Sequence, residues 1–349
     1  MDLLNRAIES VGFSKKGTGA LIDTRSIAEK EKDYFFGEVV ASANPVEWKE
    51  KKESEWRSFP IFNQNGSGSC VAQTMAKMLG VMIWLKEKIY VHFSATDIYQ
   101  RRVNKPDGGM GGDDVFRIAR NGVTLEALAP SQSMTDEAMD AYAIESYKRQ
   151  VGDIFKIGNS VVLPLRDIDT VASVIQTTKK AVMVWFYFQR DEWTDRPIIR
   201  NSVLPLTGAK TLRHSVTAVD FTLVNGEKAL IIEDSWGPNY GIGGRRVITE
   251  SFFKERNFYA AYATSFTFAP EADIVLPTMQ FEKDLAFIPW DTIKNAPVDK
   301  VKHEEQKADV VKLQNVLKSS GHSRQIGMPQ ATSELSLARP LSFSRRSTP

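Results

Sequence analysis

The chain has 349 residues, with 45 Lys and Arg against 43 Asp and Glu, and a formal net charge of +2. So even a balance gives no reason to expect a nucleic-acid partner, while 42% apolar and 10% aromatic residues suffice for a substantial core in one large domain or two lobes with extensions. The start, Met1-Asp2-Leu3-Leu4-Asn5-Arg6, lacks the apolar centre of a signal peptide, and no apolar run approaches the ~20 residues of a membrane span. With one cysteine in the whole chain, a cytoplasmic or particle-associated protein that makes no membrane contact is the expectation.

Residues 1–55 read as an N-terminal extension: either an extra edge element or a short segment lying over a cleft. The sole cysteine, Cys70, follows in Asn63-Gln64-Asn65-Gly66-Ser67-Gly68-Ser69-Cys70-Val71-Ala72. From Val71 the pattern turns helical, with Val71, Met75, Met78, Leu79, Met82 and Ile83 at spacings of three and four. Ala72, Ala76, Val81 and Trp84 make that helix apolar on most sides, which predicts burial in a core. Cys70 then stands at a helix start, where free N–H groups and the positive dipole end favour a thiolate. Gly66 and Gly68 permit a tight turn and the close approach of another backbone. Taken alone, Cys70 is an ordinary buried thiol. The amide of Gln64 six residues upstream and the Gly-Ser turn between them point instead to a nucleophile.

Farther on, His92-Phe93-Ser94-Ala95-Thr96-Asp97 has Ser94 and Asp97 at capping-box spacing. The loop Asp107-Gly108-Gly109-Met110-Gly111-Gly112-Asp113-Asp114 is dense in glycine but lacks the alternating acidic spacing of a calcium loop, so no metal is expected there. Residues 180–268 read as strand-rich. Ala181–Phe188 is a central strand, with strands at His214–Val219, Ala229–Glu233 and Arg245–Thr249 beside it. His214 opens its strand among small and apolar residues. That is either a structural histidine or a firmly held general base. Asp234 follows twenty residues later in Glu233-Asp234-Ser235-Trp236-Gly237. It reads either as a turn residue or as the group that orients the imidazole and stabilises its cation. Trp236 is core packing or a shield for that pair. Residues 269–322 read as a linker, carrying scattered prolines and charges, that leads to an amphipathic docking helix over 308–321, capped by Gly321. Residues 323–349, with four Arg against one Glu, read as a flexible tail; helix and tail are candidate partner-docking segments.

Gln64, the Gly68-Ser69-Cys70 turn, His214 with its small apolar followers, and Asp234-Ser235-Trp236-Gly237 together resemble the papain-like cysteine peptidases, in the family's order and with its six-residue step from Gln to Cys. Gly237–Gly244 is similar to the family's glycine-and-aromatic turn, His92–Asp97 to its second helix start, and Asn121-Gly122-Val123 to the end of its third helix. The resemblance covers roughly residues 56–268 and implies an α+β fold. A helical lobe, about 56–175, would pack on a β-barrel-like or curved-sheet lobe, about 176–268, with the active site between them. It also implies a peptidase with no cofactor, acting on a protein or peptide substrate. Cys70 attacks, His214 is acid and base, Asp234 orients it, and the Gln64 amide with the Cys70 N–H stabilises the oxyanion. Gly68, Ser69, Trp236 and a Gly108-Gly109 pair line the substrate, the last in β-type backbone pairing.

The chain departs from the family pattern at several places. Asp234 stands where asparagine is usual, Val71 where tryptophan is usual, and Ser67 at a position often used by a disulfide cysteine. Residues 1–55 do not read as a long helical pro-segment of the family's usual kind. Two other functions suit the same residues: a catalytically silent papain-fold component of a larger assembly, and a cell-wall peptide amidase, for which the C-terminal helix is the one hint.

Overall fold

The structure is a computed structural model. It describes residues 19–30, 34–35, 45–51, 59–87, 90–193, 196–200, 206 and 211–268. The linker, docking helix and tail expected over 269–349, and residues 1–18 of the extension, lie outside the described residues.

The helix that begins at the cysteine is α1, Cys70–Glu87, buried without interruption from Cys70 to Ile83. That follows from its sequence, which leaves no polar stripe to face water. Its one buried cation, Lys77, is matched as burial requires. Nζ forms an ion pair with Glu233 at 2.5 Å and donates to Pro60 O at 2.7 Å. Helix α2, Ala95–Gln100, starts where Ser94 caps it: the Ser94 hydroxyl accepts from the Asp97 N–H at 3.0 Å. Only half of the expected capping box forms. The Ser94 amide donates to Thr124 O, while the Asp97 carboxylate takes Arg101, Arg149 and the Thr124 N–H. Helix α3, Gly112–Arg120, ends at Asn121, and Gly122 follows at φ +95°, so the segment does close a helix.

Among the described residues ten strands make two sheets. The larger holds β1 (Tyr34–Phe35), β3 (Ser160–Val162), β4 (Val182–Phe188), β5 (Ile198–Ile199), β6 (Leu212–Val224), β7 (Glu227–Glu233), β8 (Arg245–Thr249) and β9 (Asn257–Ala263). Its order is β1-β3-β9-β4-β6-β7-β8-β5; β2 (Phe155–Ile157) and β10 (Phe266–Phe268) form the smaller. The order is open: among the described residues β1 and β5 are its two edges. Pairing is antiparallel except at those edges, where β1 runs parallel to β3 and β5 to β8. Part of the N-terminal extension is therefore an edge strand.

The strand carrying His214 runs longer than the His214–Val219 expected from the sequence. β6 begins two residues earlier and is buried at every position from His214 to Thr222. Helix α1 and the Ile168–Thr178 helix both pack against it, so its polar positions lie inside the protein rather than at a surface. Ser215 accordingly donates to the Thr74 hydroxyl of α1 at 2.9 Å. In register opposite His214 is Phe186 of β4, buried and packed against Trp193, Phe252 and Phe253. Phe186→Ala should cost about 3–5 kcal/mol of stability, since a well-packed site cannot collapse fully around the deletion. Denaturant unfolding checks this; a loss under 1 kcal/mol would mean that the sheet does not depend on this ring.

Candidate active site

A backbone junction between distant segments creates the site. Phe62–Gln64 pairs antiparallel with Ser235–Gly237: Asn63 bridges to Trp236, Gly237 N–H donates to Phe62 O at 2.9 Å, and Gln64 N–H donates to Ser235 O at 2.8 Å. The Ser235 hydroxyl adds a bond to Gln64 Oε1 at 2.5 Å. Beyond this junction the chain reverses through Asn65 and Gly66, both in the left-handed region, at φ +47° and +79°. Gln64 Nε2 reaches across the turn to Ser67 O at 2.6 Å, which fixes its carboxamide plane. Ser67 shares a 2.7 Å hydroxyl bond with Ser69. The chain then enters α1 at Cys70, which is fully buried.

His214 and Asp234 are also fully buried. His214 Nε2 bonds Asp234 Oδ1 at 2.9 Å, which leaves Nδ1 for Cys70, the other side chain that the imidazole interacts with. Burial opposes the imidazolium, but the Asp234 carboxylate outweighs it, and nearby Cys70 adds to the effect; the His214 pKa is lifted to about 9. Burial likewise opposes the Asp234 anion, and His214, then Arg246 and Trp193, overcome it and hold the carboxyl below its usual range. Trp236 lies over the imidazole, ring centroids 5.3 Å apart, and Trp193 meets it edge-on at 5.7 Å. Two aromatic faces thus keep the pair dry.

The opposite wall is the glycine loop. A Cβ on Gly68 would stand 2.8 Å from the Tyr99 hydroxyl and 2.9 Å from Gly109 N, so only glycine lets the two loops approach so closely. One network ties them together. The Asp136 carboxylate accepts the Gly68 N–H at 2.9 Å, and Tyr99 Oη accepts the Gly109 N–H at 3.0 Å. Burial and then Asp136 keep the Tyr99 phenol protonated, with a hydrogen bond between the two side chains.

Between these loops lies a segment of the N-terminal extension. Gly19 N–H donates to Cys70 Sγ at 3.2 Å. Met110 N–H donates to Gly19 O at 2.7 Å and Leu21 N–H to Met110 O at 2.9 Å, a parallel β-bridge centred on Ala20. Ala20 is 1% exposed. A Cβ on Gly19 would stand 1.7 Å from Gly68 O, so no other residue fits at position 19 as the segment is seated.

The structure thus brings Gln64, Cys70, His214, Asp234 and Trp236 into one place, with Gly68 beside them. Ser69 is wholly internal, and its hydroxyl is bonded to that of Ser67. The backbone groups that pair with an extended chain belong to Met110, one residue beyond the expected Gly108-Gly109. The Gly109 N–H is taken by Tyr99, and Gly109 at φ +86° shapes the loop. Sequence reasoning passed over Trp193 and Arg246, which both bond Asp234, and the Asp136–Tyr99 link. None stands in a recognisable motif.

The model of the papain family cysteine proteases matches residues 43–255. No curated protein matches by sequence. Among solved structures, xylellain, a cysteine protease from Xylella fastidiosa, is similar at 18% identity and TM-score 0.57, over 72% of this chain and 97% of that one. Procathepsin B S9 from Trypanosoma congolense is similar at 15% identity and TM-score 0.55, over 72% of this chain and 87% of that one. These likenesses show a common α+β fold of two lobes. The family match spans more than half of the sequence, and the chain is a member of the papain family of cysteine proteases.

Proposed function

We propose that this chain is a papain-type cysteine endopeptidase held latent by its own residues 19–21. The observation that carries the reading is the Gly19 N–H against Cys70 Sγ, in a site where His214, Asp234 and Gln64 are already assembled. The substrate is a protein or peptide whose backbone takes the place of Gly19–Leu21 along Met110.

The mechanism follows from the arrangement. His214 holds its Nε2–H on Asp234, so Nδ1 takes the Cys70 proton and a thiolate–imidazolium pair forms. The sulfur attacks the scissile carbonyl carbon. The Gln64 amide and the Cys70 N–H stabilise the oxyanion, and His214 returns its proton to the leaving amine. Water, deprotonated by His214, then hydrolyses the thioester. Trp236 and Trp193 exclude bulk water, so the charges act in a low-dielectric site.

Latency is tested in the full-length chain with an irreversible epoxide that traps papain-type thiolates, read by intact mass. Gly19→Val cannot seat beside Gly68 O, so its Cys70 should be alkylated at least about tenfold faster than that of wild type; equal rates would remove the latent role. Cys70→Ala should take up no label. Absence of adduct in both wild type and Gly19→Val would favour the catalytically silent member of the family. In the Gly19→Val chain, Gln64→Ala should lower peptide turnover by on the order of 10²–10³, the usual loss of one oxyanion donor; a loss of less than threefold would remove Gln64 from that role.

The pH dependence has a definite sign. His214 is raised from 6.5 to about 9 in the folded chain. Its ion pair therefore stabilises the fold fully below about pH 6.5 and is lost as pH rises through about 9. Asp234 is lowered, so its share is present above the ordinary carboxylate range and lost as pH falls below it. NMR of the ring protons should show His214 titrating near pH 9. His92, whose pKa burial and then Lys77 push down to about 3, should stay neutral across that whole span. A His214 midpoint near 6.5 would contradict the pairing.

A further inference from the structure

Asp234 is a buried carboxylate where an amide is usual in the family, and an uncompensated anion in a dry site is costly. Oδ1 serves His214. Oδ2 accepts from Trp193 Nε1 at 2.8 Å and from Arg246 Nε at 3.0 Å. Arg246, on β8, is 0% exposed. Its Nη1 donates to Trp193 O at 2.7 Å and to Arg196 O at 2.6 Å, which fixes the guanidinium from the side away from the carboxylate. Its stem lies under the Gly241 turn, where a Cβ on Gly241 would come 3.0 Å from Arg246 Cγ. The guanidinium therefore has its place set by backbone carbonyls as well as by Asp234.

We propose that Arg246 is a positioning and charge-balancing residue for catalysis: it claims Oδ2 of Asp234, leaves Oδ1 as the acceptor for His214, and cancels the carboxylate's charge so that the buried set is neutral when the thiolate–imidazolium pair forms. That state holds two negative groups, Cys70 and Asp234, and two positive ones, His214 and Arg246. An asparagine with an apolar residue opposite would give the same neutrality, and Asp234 with Arg246 is a second solution to one electrostatic requirement. The remaining charges packed nearby are engaged with one another. Glu192 pairs with Arg256 at 2.6 Å beside Trp193. Glu233 pairs with Lys77 at 2.5 Å and with Arg245 at 2.9 Å.

This inference rests on the peptidase reading for its meaning but not for its test, because the His214 titration needs no activity and no open cleft. The full chain is compared by NMR with Arg246→Gln, Arg246→Lys, Asp234→Asn and the double variant Asp234→Asn/Arg246→Gln, each checked for folding by near-UV circular dichroism. Removing the cation should raise the His214 midpoint by at least about half a pH unit, and removing the anion should lower it by more. The double variant should fall between the two singles, and Arg246→Lys should stay nearer wild type than Arg246→Gln does. In the Gly19→Val chain, peptide turnover should fall at least about tenfold in either single variant and recover part of the way in the double. An Arg246→Gln midpoint equal to or below wild type would overturn the proposal, as would a double variant no more active than Asp234→Asn. If a single variant fails to fold while the double folds, the compensation is supported; if the double fails as well, the charge-balance account is overturned, since a neutral site should fold. A Gly19→Val chain whose His214 titrates as expected yet never cleaves peptide sinks the peptidase reading and leaves the charge balance standing.

Discussion

One buried carboxylate organises the sheet side of this protein. Asp234 takes donors from three separate elements: His214 on β6, Trp193 on the helical turn after β4, and Arg246 on β8. Each bond is made inside the protein, where an unmet charge costs several kcal/mol and a met one fixes its partners in place. The ends of three elements are thereby locked to one point, and the imidazole is aimed from it. Aromatic rings then close over the pair, so the electrostatics act without much solvent screening.

The helical side is organised by backbone rather than charge. The pairing of Phe62–Gln64 with Ser235–Gly237 carries the end of β7 to the start of α1. Because Asp234 and Ser235 are neighbours, the same junction that positions Gln64 also positions the His214 partner. Cys70 gains its place from what precedes it, a left-handed turn and a loop too crowded for side chains. The buried Lys77–Glu233 pair spans from α1 to β7 and holds the two sides together below the site.

The N-terminal extension takes part in both architectures. Tyr34–Phe35 adds an edge strand beside β3, and Gly19–Leu21 adds a strand to Met110 inside the site. An edge element and a cleft-covering segment are alternatives in the sequence; the structure has Tyr34–Phe35 at the sheet edge and Gly19 against Cys70. The seating of Gly19–Leu21 depends on close backbone approaches at Gly19, Gly68 and Gly109.

Much of this was written locally in the sequence. Gln64, Cys70, His214, Asp234 and Trp236 sit in short motifs whose order and spacing survive without any knowledge of the fold. The helix after Cys70 and the strands around His214 follow from apolar patterning, and their buried polar residues, such as Lys77 and Ser215, are matched by partners inside the protein. The family is legible for the same reason. What tertiary structure alone decided are the partners that approach from far along the chain: Arg246 and Trp193 on the carboxylate, Asp136 and Tyr99 between the loops, Met110 as the pairing residue, and Gly19 on the sulfur. A buried arginine, a tryptophan after two acids and a glycine in an extension carry no periodic or motif signal. Their roles come from distance in space, fixed only when β8, the loops and Gly19–Leu21 are packed around one charge and one sulfur.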